Sequence, residues 1–246
     1  RALMRAPEVR MMLVIDLLVP IPLLLLLRTD LPAGTVPGPT AQIMLTAAAV
    51  SAALILGPWA MMINQFGFDR DGFRSLVLSP APRSRLLLGK NLALLPFCGF
   101  FCLLYLGLVA IFVHPGLVNI AAACGQAAAV ISAALVIGNL TSLLTPYRFA
   151  PGSFKPTKLP LLQHLLLFFA WTAGLSACAI ISFVPPALCL GLSALTGLPV
   201  ALLNLLLNLC LAGLCLTAYG LSLGPLGQLL QSREQQILTT VTTEIE

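Results

Sequence analysis

The run LLLGKN at 86–91 carries Gly89 and Lys90, a pair of the kind that closes a phosphate-binding loop. Such a loop needs GxxxxGK followed by Ser or Thr, so that backbone N–H groups cradle phosphate and a hydroxyl reaches magnesium. Ser84 stands where the first glycine belongs and Asn91 where the hydroxyl belongs, so nucleotide hydrolysis is not expected of this chain. Lys90 reads instead as an anchor at a membrane interface, its stem among acyl chains. His114 and His164 fall at opposite ends of apolar runs and cannot share a zinc ion. Cys98 and Cys102 are four apart and share a helix face, but two thiols without a neighbouring His or carboxylate make a poor metal site and read as packing residues. No HExxH occurs, and no Ser, His and Asp set shares a membrane depth, which leaves a protease or transferase unsupported. The expectation is a chain with no catalytic residue, no metal and no bound cofactor.

Asp16 is the one acid inside an apolar run. A charge at that depth is expensive and marks a functional candidate by default. It has three readings: pairing with Arg10, lining a water-filled path beside Pro20, or carrying protons, and the scarcity of other acids weighs against the last. Asn204 and Asn208, four apart, face one direction, and Gln126 and Asn139 are similar polar residues in apolar runs. Interhelical hydrogen bonding is the plain reading of all four, and lining a substrate path the sharper one. Asn139-Leu-Thr141 matches a glycosylation acceptor but falls at the inner end of its run, where that modification does not occur.

The elements that must hold these residues are membrane helices. Hydrophobic residues make up 59% of the 246 and charged residues only 9%, where a soluble domain has roughly a quarter charged. The net charge of +5 is not gathered in one patch, so nucleic acid is not the implied partner; the cations lie in short clusters between apolar runs. Seven cysteines give no disulfide framework and no CxxC pair,. A span needs about 20 apolar residues, and six segments qualify: Met11–Leu27, Ala41–Ile63, Asn91–Val113, Leu117–Leu144, Leu161–Val184 and Val200–Leu223. The first is short and carries Pro20 and Pro22, which predicts a kink. Arg1, Arg5 and Arg10 before it imitate a signal peptide, but Asp16 and the lack of a small-residue cleavage site favour a retained span, and the opening at Arg1 a truncated or processed start. Pro185–Pro199 is too short to cross and reads as a re-entrant or interfacial hairpin. With both termini cytoplasmic, every Lys and Arg except Arg28 falls inside, as the positive-inside rule requires. The fourth span, rich in Ala and Gly, reads as a central packing helix, and Gly220 with Gly224 as a site for internal packing or dimer contact.

Between the second and third spans lies a polar island, 64–90. Asp69 or Asp71 can cap a short helix whose Phe73, Leu76 and Val77 share one face. Ser79 before Pro80 ends that helix, and Pro80 or Pro82 begins the next. The run FGFDRDGFRSLVLSPAPRSRLLLGKNLAL within this island resembles the cytoplasmic loop of membrane permeases of ATP-binding cassette (ABC) transporters of the type-2 export class. RAPEVRMML at the start, GNLTSLLTPYRFAPGSFKPTK after the fourth span and LLQSREQQILTTVTTEIE at the end resemble the same group at matching places.

The resemblance implies a single all-α permease domain over 1–246, in the bacterial cytoplasmic (inner) membrane, working with a cytosolic ABC ATPase that holds the ATP and Mg. It implies a coupling helix at about Phe68 to Leu78, with Phe73, Leu76 and Val77 entering a groove on that ATPase and Asp69, Arg70, Asp71 and Arg74 pairing with charges at its rim. Related chains often hold two membrane halves, so a homodimer or a second permease half is implied as well. The tail, 224–246, is expected to begin as a helix with Ile237, Leu238 and Val241 on one stripe. Two other functions fit the residues: a non-transporting membrane anchor or assembly factor, and an ion-coupled carrier using Asp16.

Overall fold

The computed structural model describes residues 38–148 and 160–242, with Val14 and Leu18 described singly. The expected span Met11–Leu27 and Asp16 lie outside the described residues. Helices account for all the regular structure described: α1 (Pro39–Ile55), α2 (Trp59–Ile63), a 3₁₀ turn (Arg70–Gly72), α3 (Phe73–Val77), α4 (Arg83–Val113), α5 (Leu117–Leu144), α6 (Leu161–Thr196) and α7 (Val200–Thr242). Four of them, α4 to α7, are long and apolar enough to cross a membrane, so this is a multi-pass integral membrane protein. The expected spans at Asn91, Leu117, Leu161 and Val200 each lie within one of these four.

Two expectations are corrected. The Ala41–Ile63 run is two helices, not one. Pro58 has no N–H for the carbonyl of Leu54, and Gly57 lies so close to α4 that a Cβ there would sit 2.7 Å from the Phe101 ring. The chain therefore breaks at 56–58, and α1, with 17 residues, covers only about 25 Å.

The hairpin expected over Pro185–Pro199 does not form a separate element. Helix α6 passes through Pro185 and Pro186 to Thr196 and turns at Gly197, φ 69°. The break is mended from α5: Gln126 Nε2 donates at 3.0 Å to the carbonyl of Ser182, the acceptor that Pro186 leaves without its helical partner.

The last span and the tail, expected to begin as a helix, form one helix. It continues through Pro225 to Thr242, because its lower part has its own surface to bury. Leu226, Leu230, Ile237 and Val241 recur at helical spacing and are all buried.

Helix α5 is central, as its composition predicts. Ala122, Ala123, Gly125, Ala127, Ala129, Ala134 and Gly138 are buried along it, with α1, α2, α4, α6 and α7 around it. Lipid gives helices no hydrophobic drive to associate, so close backbone contact has to supply the attraction. At Gly138 a Cβ would stand 2.6 Å from the Met62 carbonyl oxygen, so only glycine lets α2 lie against α5 there. Helices α5 and α7 run in the same direction, with Gly125 against the backbone of Asn208. Cys98 and Cys102 are buried in the same core as Phe101 and Val130.

Candidate functional site

At the end of the bundle that carries the polar island, the chain leaves α2 and makes a tight turn over 64–69. Asn64 fixes that turn. Its Nδ2 donates to the Tyr147 carbonyl at 2.8 Å, and the Tyr147 N–H donates back to its Oδ1 at 3.4 Å. Gly67 is required beside it, since a Cβ would stand 2.1 Å from the Tyr147 carbonyl oxygen.

The next residue ties four elements together. Gln65 Nε2 donates to Asn91 Oδ1 on α4 at 3.1 Å and to Asn139 Oδ1 on α5 at 3.2 Å. Asn91 Nδ2 in turn donates to Tyr219 Oη on α7 at 2.9 Å. The Phe66 N–H donates to Ser142 Oγ at 3.2 Å. Gln65 Oε1 and Asn139 Nδ2 have no partner among the described residues. A buried network left incomplete in this way holds its helices less firmly than a fully satisfied one.

The island folds back on this frame. Phe66 and Phe73 meet edge to face, centroids 5.3 Å apart, and share a core with Leu87, Leu143, Leu226, Leu230, Ile237 and Val241. Leu76 and Val77 pack against that core. Helix α3 is only five residues long, too short to hold itself, and Arg83 supplies what it lacks. The Arg83 guanidinium donates to the carbonyls of Val77 at 3.0 Å and Ser79 at 3.1 Å, where a cation suits the C-terminal end of a helix. The same side chain pairs with Glu234 of α7 at 2.8 Å. Next to Glu234, Arg233 donates to the carbonyls of Leu143 and Leu144 at 3.1 and 3.2 Å, closing the end of α5.

Lys90, expected as an interface anchor, forms an ion pair with Asp69 and lies 5.1 Å from the centroid of the Phe66 ring. Burial raises the Asp69 carboxyl above its ordinary 3.8, and the charge and hydrogen bond of Lys90 oppose the rise without cancelling it. Beside this pair is a cleft of about 390 Å³ lined by Met61, Gln65, Phe68, Asp69, Arg85 and Lys90, among others.

The residues expected to touch a partner thus divide into two faces. Phe73 is 2% exposed, and Leu76 and Val77 are half-buried on the same inner side, against a core formed by the protein's own α4, α5 and α7. Phe68 and Asp69 are half-buried in the cleft. Asp71, Gly72, Arg74 and Ser75 are exposed, and Leu78 is 83% exposed at the end of α3. The Arg70 side chain lies outside the described residues. Gln126, Asn204 and Asn208 are buried in the bundle and far along it from the island. Gln126 repairs α6, and Asn208 donates to the carbonyl and Oδ1 of Asn204 on its own helix, both at 2.9 Å.

Sequence reasoning missed Arg83, Glu234, Gln65 and Asn91 as joints. Gln65 and Asn91 are polar residues at the edges of apolar runs, a visible signal. Arg83 and Glu234 are 151 residues apart, and nothing local pairs them. No family model, no curated protein and no solved structure matches this chain.

Proposed function

We propose that this chain is the permease subunit of an ATP-driven exporter of the type-2 ABC class. In this reading it has six spans with both termini cytoplasmic and forms the pathway with a second copy or a second permease half. A cytosolic ATPase, which binds the ATP and Mg, docks on the island.

The observation that carries the reading is the two-faced island. Its inner face is joined to α4, α5 and α7 through Phe73, the Gln65 network and Arg83–Glu234. Its outer face presents Asp71, Arg74, Ser75 and Leu78 to solvent. In the proposed mechanism, ATP binding draws two ATPases together and displaces the outer face. The edge-to-face Phe66–Phe73 contact carries the displacement to Gln65, where the incomplete network lets α4, α5 and α7 shift.

The contact residues are therefore Leu78, as an apolar knob, and Asp71 and Arg74 at its rim; Phe73 is a transmitting residue. The test is isolation of the intact complex in mild detergent, with identification of cytosolic partners and an ATPase assay. Leu78→Asp or Arg74→Glu should weaken retention of a nucleotide-binding subunit at least tenfold, about 1.4 kcal/mol, with insertion and thermal stability unchanged. Phe73→Ala should lower stability itself. If no ATPase is retained by a folded wild-type chain, the exporter reading fails and a membrane anchor or an Asp16-dependent carrier takes its place.

A further inference from the structure

Along the face between α5 and α6 runs a groove of about 630 Å³, distinct from the island and its cleft. Its walls are Val136, Leu140 and Leu144 on one side and Leu166, Ala170 and Ala173 on the other, with Arg233 at one end. The small residues of α6 make it a channel; Leu140, Leu144 and Leu166 form its raised edges, each more than 40% exposed.

Two features set it apart from ordinary lipid-facing surface. The first is length. From Leu166 to Ala177 the groove follows α6 for roughly 16 Å at 1.5 Å per residue, and one leaflet is half of a ~30 Å hydrocarbon core. The second is the charge at its end. Arg233 uses Nη1 on the Leu143 and Leu144 carbonyls and Nε on Gln236. Its Nη2 has no partner, and its charge no carboxylate, among the described residues, since the neighbouring Glu234 is held by Arg83. A one-leaflet apolar channel that stops at a cation with free donors has the two halves of an anionic phospholipid in order, and basic pockets between membrane helices are known to take such headgroups.

We propose that the α5–α6 groove binds one anionic phospholipid, with an acyl chain between Leu140 and Ala173 and the phosphate at Arg233 Nη2. The lipid then fastens α6 to α5 at the island end of their interface, away from the Gln126 bond, and it does so whether or not an ATPase docks on the island.

The test is native mass spectrometry of the full chain released from detergent, titrated with phosphatidylglycerol or phosphatidylcholine of the same chains. The wild type should retain one phosphatidylglycerol at least fivefold more strongly than phosphatidylcholine. Arg233→Gln should remove the preference, Arg233→Lys should keep part of it, and Ala173→Leu, which fills the channel from an exposed position, should lower retention of both lipids. Equal retention of the two lipids by the wild type would overturn the proposal. So would an unchanged preference in Arg233→Gln, or an Ala173→Leu variant that loses only self-association, which would make the groove a contact for a second copy.

Discussion

Asp69 and Lys90 form a pair whose two halves should not respond alike to mutation. Their side chains are 23% and 17% exposed, and burial outweighs the help of Lys90, so the folded carboxyl stays above 3.8. The folded chain therefore holds this proton more tightly than the unfolded chain. The contribution of Asp69 to stability is fully present below 3.8 and is lost as pH rises through its folded value. Lys90→Met strands the carboxylate in that setting and should destabilise by about 3 kcal/mol, the lower end of the cost of breaking a buried pair. Asp69→Asn removes the group whose ionisation opposes folding; it should cost less than ~1 kcal/mol and flatten stability against pH just above 3.8. Adding Asp69→Asn to Lys90→Met should recover most of the loss, a coupling expected of residues in contact. Thermal unfolding in detergent across that pH range measures all three. Equal losses for both single variants would mean that Lys90 does more for Asp69 than its surroundings take away.

Among the elements, the helix through Pro185 and Pro186 shows where the sequence is legible and where it is not. Apolar runs of spanning length located α4, α5, α6 and α7, and the small residues of the fourth run marked the central helix, because both signals are local. A proline pair is local too, and alone it reads as a break. What overrides it is an amide on another helix, Gln126, bonded to Ser182 at a separation of 56 residues. The island follows the same rule. A stripe of Phe73, Leu76 and Val77 looks the same whether a partner or the protein's own tail covers it, and only the packing of Ile237 and Val241 against Phe73 decides. The repair at Ser182 predicts a specific rescue. Gln126→Met should leave a carbonyl without a donor inside the bundle and cost about 1–3 kcal/mol. Pro186→Ala restores the helical N–H, so the double variant should lose clearly less than Gln126→Met alone in denaturant unfolding from detergent micelles. A double variant as unstable as the single one would mean that Gln126 matters for its packing or its 3.4 Å bond to the Ala47 carbonyl of α1, not for its bond to α6.

For the molecule as a whole, charge is distributed by end. Arg74, Arg83, Arg85, Lys90, Arg148 and Arg233 all lie at the end that holds the island, while the described turns at the other end, 114–116 and 197–199, contain no Lys or Arg. Short loops rich in cations are retained on the cytoplasmic side during insertion, and the inverted arrangement would carry these six across. The island end should therefore face the cytoplasm, the one side from which an ATPase could reach Asp71, Arg74 and Leu78. Single cysteines at two exposed positions test this in a background lacking the native thiols: Ser75 on the island and Thr196 at the far end of α6. A membrane-impermeant maleimide should label Ser75→Cys in inverted vesicles only and Thr196→Cys in intact cells only. Labelling of Ser75→Cys from outside the cell would place the island in the compartment without ATP, and the exporter reading would fall with it. The α5–α6 lipid site would survive that result, since its Arg233 needs only an anionic headgroup in whichever leaflet it meets.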